Sequence, residues 1–443
     1  SLKLGMLVGA EPTLPLYFPE INPLRLPRIQ ALDSEFLRHF NRKAGRVVKQ
    51  EASERFTVFV SDGLAEKFTF LLKDRSNAAK SEFLKDKKIE FVTGENPKDI
   101  TTIVTATLRK LRKKPPDQIK GIYLTAYTAG SPNGEILLDK LKKSGGTAVV
   151  VDFKEVDGNL YYPTKIELNK RLGGNNRILF LNPGKFIESA HQKGIYVIAR
   201  IVCFKDQLMA SKKSEWAIHD FNGNIWKSPE GQGWLDPSLP AVQDYILAVA
   251  KEAVLFGADE IQFDYVRFPT QGATRLANYN FDKNSTQNFE IISRFLKKVR
   301  RTVELSMSFI GIDVFGIIAW NKEHDAISTG QKISELAPYV DNIYPMVYPS
   351  HYGPGFGGHK NPADEPYFFI KKSMSLFQEL TAGYEVELRP WLQGFTYRVS
   401  HFGRDYIKQQ INAAHDLGLK SFVIWNAANN YETAFLAMKE EKP

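Results

Sequence analysis

Asp264 is the acid whose position in the sequence most strongly suggests chemistry. It ends a predicted buried strand, residues 260–264, and an aromatic residue, an arginine and a proline follow within five positions. Because strand side chains alternate between two faces, Gln262 and Asp264 share the polar face of this strand. An acid at the carboxyl end of a parallel strand can serve as a nucleophile or a general base. Alternatively, Asp264 only fixes the loop that follows.

A second acid, Asp313, ends the next predicted strand, on the same face as Phe309 and Gly311. Neighbouring strands lie about 4.8 Å apart, so two carboxyl groups at adjacent strand ends can face each other across a bound molecule. Cleavage of a glycosidic bond requires such a pair, in which one carboxyl protonates the leaving oxygen and the other attacks the sugar or activates water. The alternative for Asp313 is capping of the following loop.

Polar and aromatic residues occupy the other predicted strand ends. Flat aromatic rings can stack on sugar rings, and amides, acids and guanidinium groups can bond their hydroxyls; the tryptophans can equally belong to the core. Arg267 could pair with Asp264 and keep it ionised, or form a loop salt bridge. Asp236 could line the site or set the turn into the next helix. The candidate substrate-binding residues are Asp152, Arg200, Asp236, Gln262, Arg267, Tyr344, Tyr348, Trp391, Gln393, Trp425 and Asn426.

The elements that would position these residues alternate between strand and helix. Apolar residues at helical spacing predict helices over residues 241–256, 287–303 and 406–417, with Pro240 before the first and Gly257 after it. The pattern predicts an α/β protein, a (β/α)8 TIM barrel. A doubly wound open sheet would need a phosphate-binding turn after its first strand, and none follows it. The eight predicted strands are residues 121–124, 148–152, 196–202, 260–264, 307–313, 342–348, 388–393 and 421–426.

Two domains are expected in the 443 residues: a small β-rich N-terminal domain or extension, 1–116, and the barrel, 117–443. Residues 1–116 hold 22 Lys and Arg against 14 Asp and Glu, a balance of +8, whereas the rest of the chain carries +1. This charge could contact an anionic surface or polymer, but a solvated lysine-rich surface explains it as well. No nucleic-acid motif accompanies it, so no nucleic-acid partner is predicted.

The sequence predicts neither a membrane-spanning segment nor a cofactor. No apolar run approaches the length of a span. The glycine-rich run of residues 353–358 matches G-x-G-x-x-G, but prolines follow before any helix, so the dinucleotide geometry is not expected. His351 and His359 lack the spacing of a metal motif, and Cys203, the only cysteine, excludes an internal disulfide. We therefore predict no metal and no cofactor.

Three motifs resemble a bacterial family of glycoside hydrolases: WLDPS at residues 234–238, IQFDYVRFP at 261–269 and YPMVYP at 344–349. The resemblance covers about residues 119–435 and implies a carbohydrate-active TIM barrel, distantly similar to the α-amylase group and often found in exported or surface-associated proteins. Asp264 aligns with the amylase nucleophile. Gln262 stands where amylases carry arginine, and Asp313 is the nearest acid where they use glutamate.

These features together predict a glycoside hydrolase acting on a polysaccharide of a bacterial surface, matrix or cell wall, exported or held at the cell surface rather than cytoplasmic. Asp264 would be the nucleophile or base and Asp313 the general acid. One alternative is a non-catalytic carbohydrate-binding barrel, which would keep the aromatic residues without a properly placed acid pair. Another is an interaction protein whose basic N-terminal part docks on an anionic polymer.

Overall fold

A computed structural model describes residues 115–303, 308–320 and 323–440, together with the backbone of three short strands nearer the N-terminus. The chain divides into two units: residues 1–114 with 304–307, and residues 115–303 with 308–443. In the first unit, strands Leu2–Leu4, Arg55–Val60 and Lys88–Thr93 form a parallel sheet in that order. Most of the predicted N-terminal domain, residues 1–116, lies outside the described residues.

The second unit is a closed barrel of eight parallel strands, which confirms the predicted (β/α)8 fold and excludes the open doubly wound sheet. Each strand pairs with the next along the chain, and the last pairs with the first. A two-residue strand, Glu387–Leu388, pairs with β6 just before β7. The barrel strands are β1 (Lys120–Leu124), β2 (Ala148–Lys154), β3 (Tyr196–Val202), β4 (Glu260–Asp264), β5 (Phe309–Phe315), β6 (Asn342–Met346), β7 (Trp391–Gln393) and β8 (Phe422–Trp425).

Helices surround the barrel where the apolar periodicity predicted them. The helix Pro240–Phe256 starts on a proline and ends at Gly257, whose φ of 109° suits glycine. None of the helices in the described ranges is long and apolar enough to cross a membrane. The longer helices are Pro132–Lys143, Pro183–Gln192, Pro240–Phe256, Asn288–Val303, Pro366–Thr381, Arg404–His415 and Glu432–Lys439; the shorter are Ala126–Ala129, Glu167–Arg171, Gln207–Lys212, His324–Thr329 and Ile333–Leu336.

Two strand boundaries differ from the sequence prediction in ways that affect the site. The strand predicted over residues 307–313 is observed as Phe309–Phe315, so Asp313 lies inside β5 and not at its end. The strand predicted over residues 388–393 is broken between Leu388 and Trp391, where Pro390 cannot donate a ladder hydrogen bond. The first difference places Asp313 deeper in the barrel than a terminal position would.

The barrel interior combines an apolar layer with a buried charge cluster near the amino ends of the strands. Glu260, on β4, accepts hydrogen bonds from Arg389 Nη1 at 2.8 Å, Tyr344 Oη at 2.7 Å and Tyr196 Oη at 3.2 Å. Glu260 and the Arg389 side chain are fully buried. Because an unpaired charge is costly inside a protein, this cluster fixes how the strands carrying these residues meet.

Candidate active site

The carboxyl ends of the barrel strands enclose a cavity of about 310 Å³. Residues of β3, β4, β5, β6, β7 and β8 line it, as expected for the catalytic end of such a barrel. Seven residues that the sequence predicted for the site line this cavity: Arg200, Asp264, Arg267, Asp313, Tyr348, Trp391 and Trp425.

Asp264 is held by an arginine from the neighbouring strand. Its Oδ2 accepts hydrogen bonds from Arg200 Nη2 at 2.6 Å and Arg200 Nε at 3.0 Å, and its Oδ1 accepts one from the Tyr265 amide at 2.6 Å. Arg200 Nη1 donates to Asp152 Oδ1 at 2.5 Å. The guanidinium therefore bridges two acids, and Asp264 is the one of the two that lines the cavity.

Asp313 lies beside Asp264, one position beyond the paired residues Phe263 and Ile312 of β4 and β5. Its Oδ1 accepts a hydrogen bond from Trp391 Nε1 at 2.7 Å. Burial raises the pKa of Asp313 well above its usual range, and the charge of Asp264 raises it further, while Arg200 and the Trp391 indole oppose the shift. Burial and its acidic neighbour therefore favour the protonated form of Asp313, whereas Asp264 is in contact with a cation. Two neighbouring acids in such different surroundings can take different roles.

The predicted ion pair between Arg267 and Asp264 is wrong. Arg267 Nη1 donates to the Phe268 carbonyl at 3.0 Å, and its guanidinium lies 4.2 Å from the ring centre of Phe315 and 4.9 Å from that of Tyr265. No carboxylate of the described residues comes within 4 Å of it, because Arg200 from β3 takes the position beside Asp264. Burial lowers the pKa of Arg267 to about 10.

Three aromatic residues line the cavity next to the acids. Trp425 stacks on Tyr123 with ring centres 3.9 Å apart, and the Arg200 guanidinium lies 5.1 Å from its ring. Trp391 meets Trp425 edge-on at 5.5 Å and is almost fully buried, so it belongs to the core as well as to the site. Burial raises the pKa of Tyr348, and the charges of Asp313 and Asp264 raise it further.

Three of the predicted substrate-binding residues lie inside the barrel and do not line the cavity. Asp152 is buried and bonded to Arg200 and to the Tyr123 hydroxyl, so it positions the arginine. Tyr344 belongs to the Glu260 cluster and lies too deep in the barrel to reach a ligand. Gln262 is fully buried, and its amide makes no hydrogen bond with any residue in the described part of the chain.

Three further candidates stabilise loops. Asp236 caps its own turn through Ser238 and bonds the amide of Asn280 at 2.7 Å, in keeping with the turn-setting alternative. Gln393 accepts from the Ser350 amide at 3.1 Å, and its own amide donates to loop carbonyls. Asn426 donates to the Gly394 carbonyl at 2.6 Å. Each uses its polar atoms within the protein, away from the cavity.

The cavity also contains residues that the sequence did not single out. Tyr265 has a φ of 49°, an uncommon conformation for a residue with a side chain, and it directly follows Asp264. Lys205 and Glu230 come from the loop after β3, with Lys205 Nζ 3.8 Å from Glu230 Oε2. Only their place after a barrel strand could have indicated them. The remaining lining residues include Ser228, Trp234, Phe315, Met346 and His351.

A closed (β/α)8 barrel with an acid pair at the carboxyl end of its strands defines the class of barrel enzymes. The chain belongs to the family described as "putative glycosyl hydrolase domain", whose profile matches residues 121–431. This confirms the resemblance noted from the three motifs and places the protein among the glycoside hydrolases; the likeness to the α-amylase group stays a prediction.

The chain is also similar to individual proteins. The chain is 24% identical to the glycosyl hydrolase DigH of Escherichia coli O6:H1 (strain CFT073) over 229 residues, 43% of this chain and 49% of DigH. The match therefore spans about half of that relative's length. The glycoside hydrolase domain of PgaB (BpsB) from Bordetella bronchiseptica shares the fold, with a TM-score of 0.53 at 12% identity over 74% of this chain and 100% of that domain. A hypothetical protein from Ruminiclostridium thermocellum is 34% identical over 44% of this chain and 97% of its own, with a TM-score of 0.39.

Proposed function

We propose that the protein hydrolyses glycosidic bonds in a polysaccharide of a bacterial surface, matrix or cell wall, with Asp264 as nucleophile or base and Asp313 as general acid. One observation carries the proposal: the two acids occupy neighbouring positions on β4 and β5 and line the same cavity, one bonded to a guanidinium and the other buried with a raised pKa. A proton donor and an electron-pair donor are the two groups that glycoside hydrolysis requires.

In the proposed reaction, Asp313 donates its proton to the glycosidic oxygen as the bond from this oxygen to the anomeric carbon breaks. Asp264 either attacks the anomeric carbon, to be displaced later by water, or takes a proton from the water that attacks it. In both cases water supplies the new anomeric hydroxyl, and Asp313 recovers a proton. Arg200 stays paired with Asp264 and fixes the orientation of the carboxylate.

The cavity walls suit a sugar chain. Trp425 is partly exposed and presents an indole face, while Tyr348 and the Arg200 guanidinium supply polar groups near the acids. Such a combination of flat apolar rings and a few fixed polar atoms is typical of sites that bind small polar rings. We further propose that the protein is exported or surface-associated, where a polysaccharide of this kind is found.

The proposal is tested by measuring reducing ends released from a panel of bacterial and plant polysaccharides by the purified full chain. We expect at least one polymer to release reducing ends in proportion to time and enzyme. Glycan binding without any release would favour the non-catalytic carbohydrate-binding barrel. The same assay supplies the substrate for the variants described below.

The pH dependence of the reaction should identify Asp313 as the acid. A general acid acts only when protonated, so kcat/KM should be high below the raised pKa of Asp313 and fall as the pH rises through it. The Trp391 indole donates to Asp313 and favours its charged form. Trp391→Phe should therefore raise the pKa of Asp313 and move the alkaline limb of kcat/KM to higher pH.

The control for this shift is Trp320→Phe. The Trp320 indole also donates to a side chain, Ser373 Oγ at 2.9 Å, but lies outside the cavity. Its replacement should leave the alkaline limb in place. The role of Asp313 as general acid would be contradicted if the alkaline limb did not move in Trp391→Phe, or if it moved equally in both variants.

Trp425 should contribute mainly to substrate binding. Truncation of an aromatic anchor costs about 1–2 kcal/mol, or about 5- to 30-fold. We expect Trp425→Ala to raise KM by about that factor, with a smaller change in kcat, in steady-state kinetics on the identified polymer. Trp216→Ala, at a partly exposed tryptophan away from the cavity, should leave KM unchanged. A fall in kcat alone would show that Trp425 acts through Arg200 instead.

A further inference from the structure

One wall of the cavity carries a buried cation without a carboxylate partner. Arg267 is only 8% exposed, yet no carboxylate among the residues that the structure describes lies within 4 Å of it. A guanidinium has five N–H donors, and within the described part of the chain a single one is used, by the Phe268 carbonyl. Buried charges in proteins are nearly always paired, so this arrangement calls for an anion that the described residues do not provide.

The two acids of the site do not supply this anion. Asp264 is bonded to Arg200 and to the Tyr265 amide, and Asp313 accepts a hydrogen bond from Trp391 and has a pKa that burial raises. The aromatic rings around Arg267 offset its burial only in part, as its lowered pKa indicates. The remaining N–H groups of Arg267 are therefore available to a ligand.

A second cation lies on the same wall. The ring of Tyr265 has Arg267 at 4.9 Å from its centre and Lys205 Nζ at 5.4 Å. Burial lowers the pKa of Lys205, Glu230 opposes this shift at 3.8 Å, and Arg267 adds to it by repulsion. Glu230 is half-exposed and accepts a hydrogen bond from Ser228 Oγ at 2.6 Å, so it neutralises the positive charge of this wall only in part.

From this wall we infer that the sugar bound beside the acid pair carries a carboxylate, which pairs with Arg267, with Lys205 at the rim. The inference rests on the proposed function and names its substrate class: an acidic polysaccharide. A guanidinium matches the two oxygens of a carboxylate with two parallel N–H bonds, which an uncharged hydroxyl cannot replace.

The test compares binding of acidic oligosaccharides with binding of the same molecules after reduction of their carboxyl groups. The probes are oligomers of galacturonate, alginate and hyaluronan, titrated calorimetrically into full-length Asp264→Asn at 0.15 M salt. We expect at least one acidic probe to bind at least tenfold more tightly than its reduced form. Arg267→Met in the same background should abolish that difference, and Arg267→Lys should keep part of it.

Arg301→Met is the matched control, because Arg301 is exposed on the helix Asn288–Val303 and its loss changes the net charge equally. It should leave the preference intact. The melting temperature gives a second readout: an apolar side chain in place of an unpaired buried charge should leave it unchanged or raise it. A clear fall in the melting temperature of Arg267→Met would mean that Arg267 is structural, and would overturn the inference.

Other outcomes separate this inference from the proposed function. The inference is overturned if no acidic probe binds more tightly than its reduced form. It is also overturned if such a preference persists in Arg267→Met. Hydrolysis of a neutral polymer with no acidic requirement leaves the proposed function standing and refutes the acidic substrate. Acidic probes that bind through Arg267 without cleavage by the wild type support the inference and refute hydrolysis. Sulfated dextran binding as tightly as the carboxylated probes, again through Arg267, overturns the assignment of a carboxylate.

Discussion

Asp264→Asn should lower kcat/KM on the identified polymer by about 10³-fold or more, with little effect on folding. Asparagine keeps the shape and can still accept a hydrogen bond from Arg200, but it neither attacks an anomeric carbon nor accepts a proton from water. A loss of 10³-fold corresponds to about 4 kcal/mol of transition-state stabilisation, within the range of acid–base and nucleophilic groups. Initial rates of reducing-end release, corrected for the folded fraction, measure it.

Asp152→Asn provides the matched control, because Asp152 bonds the same guanidinium but lies outside the cavity. If Asp264 acts on the substrate, Asp152→Asn should cost about tenfold or less, through a looser Arg200. Equal losses in the two variants would mean that both acids serve only to hold Arg200, and the chemical role of Asp264 would be refuted. Undiminished activity of Asp264→Asn would refute it directly.

The barrel was predictable because its signals are local. Apolar runs, helical periodicity, and prolines and glycines at helix ends each depend on neighbours in sequence, and they placed the helix Pro240–Phe256 and the strand Glu260–Asp264 to within a residue. Asp264 stood out for the same reason. It follows a buried strand, and the carboxyl end of a barrel strand is the end that faces the cavity.

Depth along the barrel was not predictable from alternation. Tyr344, Tyr348 and Gln393 all follow the inward-facing pattern of their strands, yet only Tyr348 lines the cavity. Alternation identifies the face of the strand on which a side chain lies, but not the depth of that side chain in the barrel. This depth depends on how far each strand is displaced along its neighbours. Tyr344 donates its hydroxyl to the buried Glu260, whereas Tyr348 lies two residues beyond the end of β6 and lines the cavity.

The pairing of charges could not be predicted from the sequence either, because it links residues that are distant along the chain. Arg267 is three residues from Asp264, and sequence proximity suggested a pair. The structure instead brings Arg200 from β3 to Asp264 and turns Arg267 toward Phe315. Gln262 is buried, and the guanidinium that accompanies Asp264 comes from Arg200 on the neighbouring strand.

The buried cluster around Glu260 should produce the largest effect on stability. Glu260 lies four residues before Asp264, about 13 Å deeper along β4. Arg389→Met would remove its cation and leave two tyrosine hydroxyls as its donors. Loss of one partner of a buried ion pair costs about 3–5 kcal/mol, because the other charge stays buried. We expect a loss of this size in the free energy of unfolding at pH 8.

The loss should depend on pH in a defined direction. Burial already raises the pKa of Glu260, and Arg389 opposes that shift, so Arg389→Met should raise the pKa further. A carboxyl with a higher pKa in the folded than in the unfolded chain binds a proton on folding, and its destabilising effect grows as the pH rises through the folded pKa. The variant should therefore lose less stability at pH 5 than at pH 8. Urea unfolding followed by tryptophan fluorescence reports on the barrel alone, because all six tryptophans lie between residues 216 and 425.

Two further variants separate the buried charge from simple loss of packing. Glu387→Gln removes the half-exposed partner of Arg389 and should cost about 1 kcal/mol or less, as solvent screens that pair. The double variant Glu260→Gln/Arg389→Met removes both buried charges and should recover most of the stability lost in Arg389→Met. The opposite outcome is a double variant that loses as much stability as Glu260→Gln and Arg389→Met lose together when measured singly. In that case Arg389 stabilises the barrel by filling space, and the ion pair contributes little to its stability.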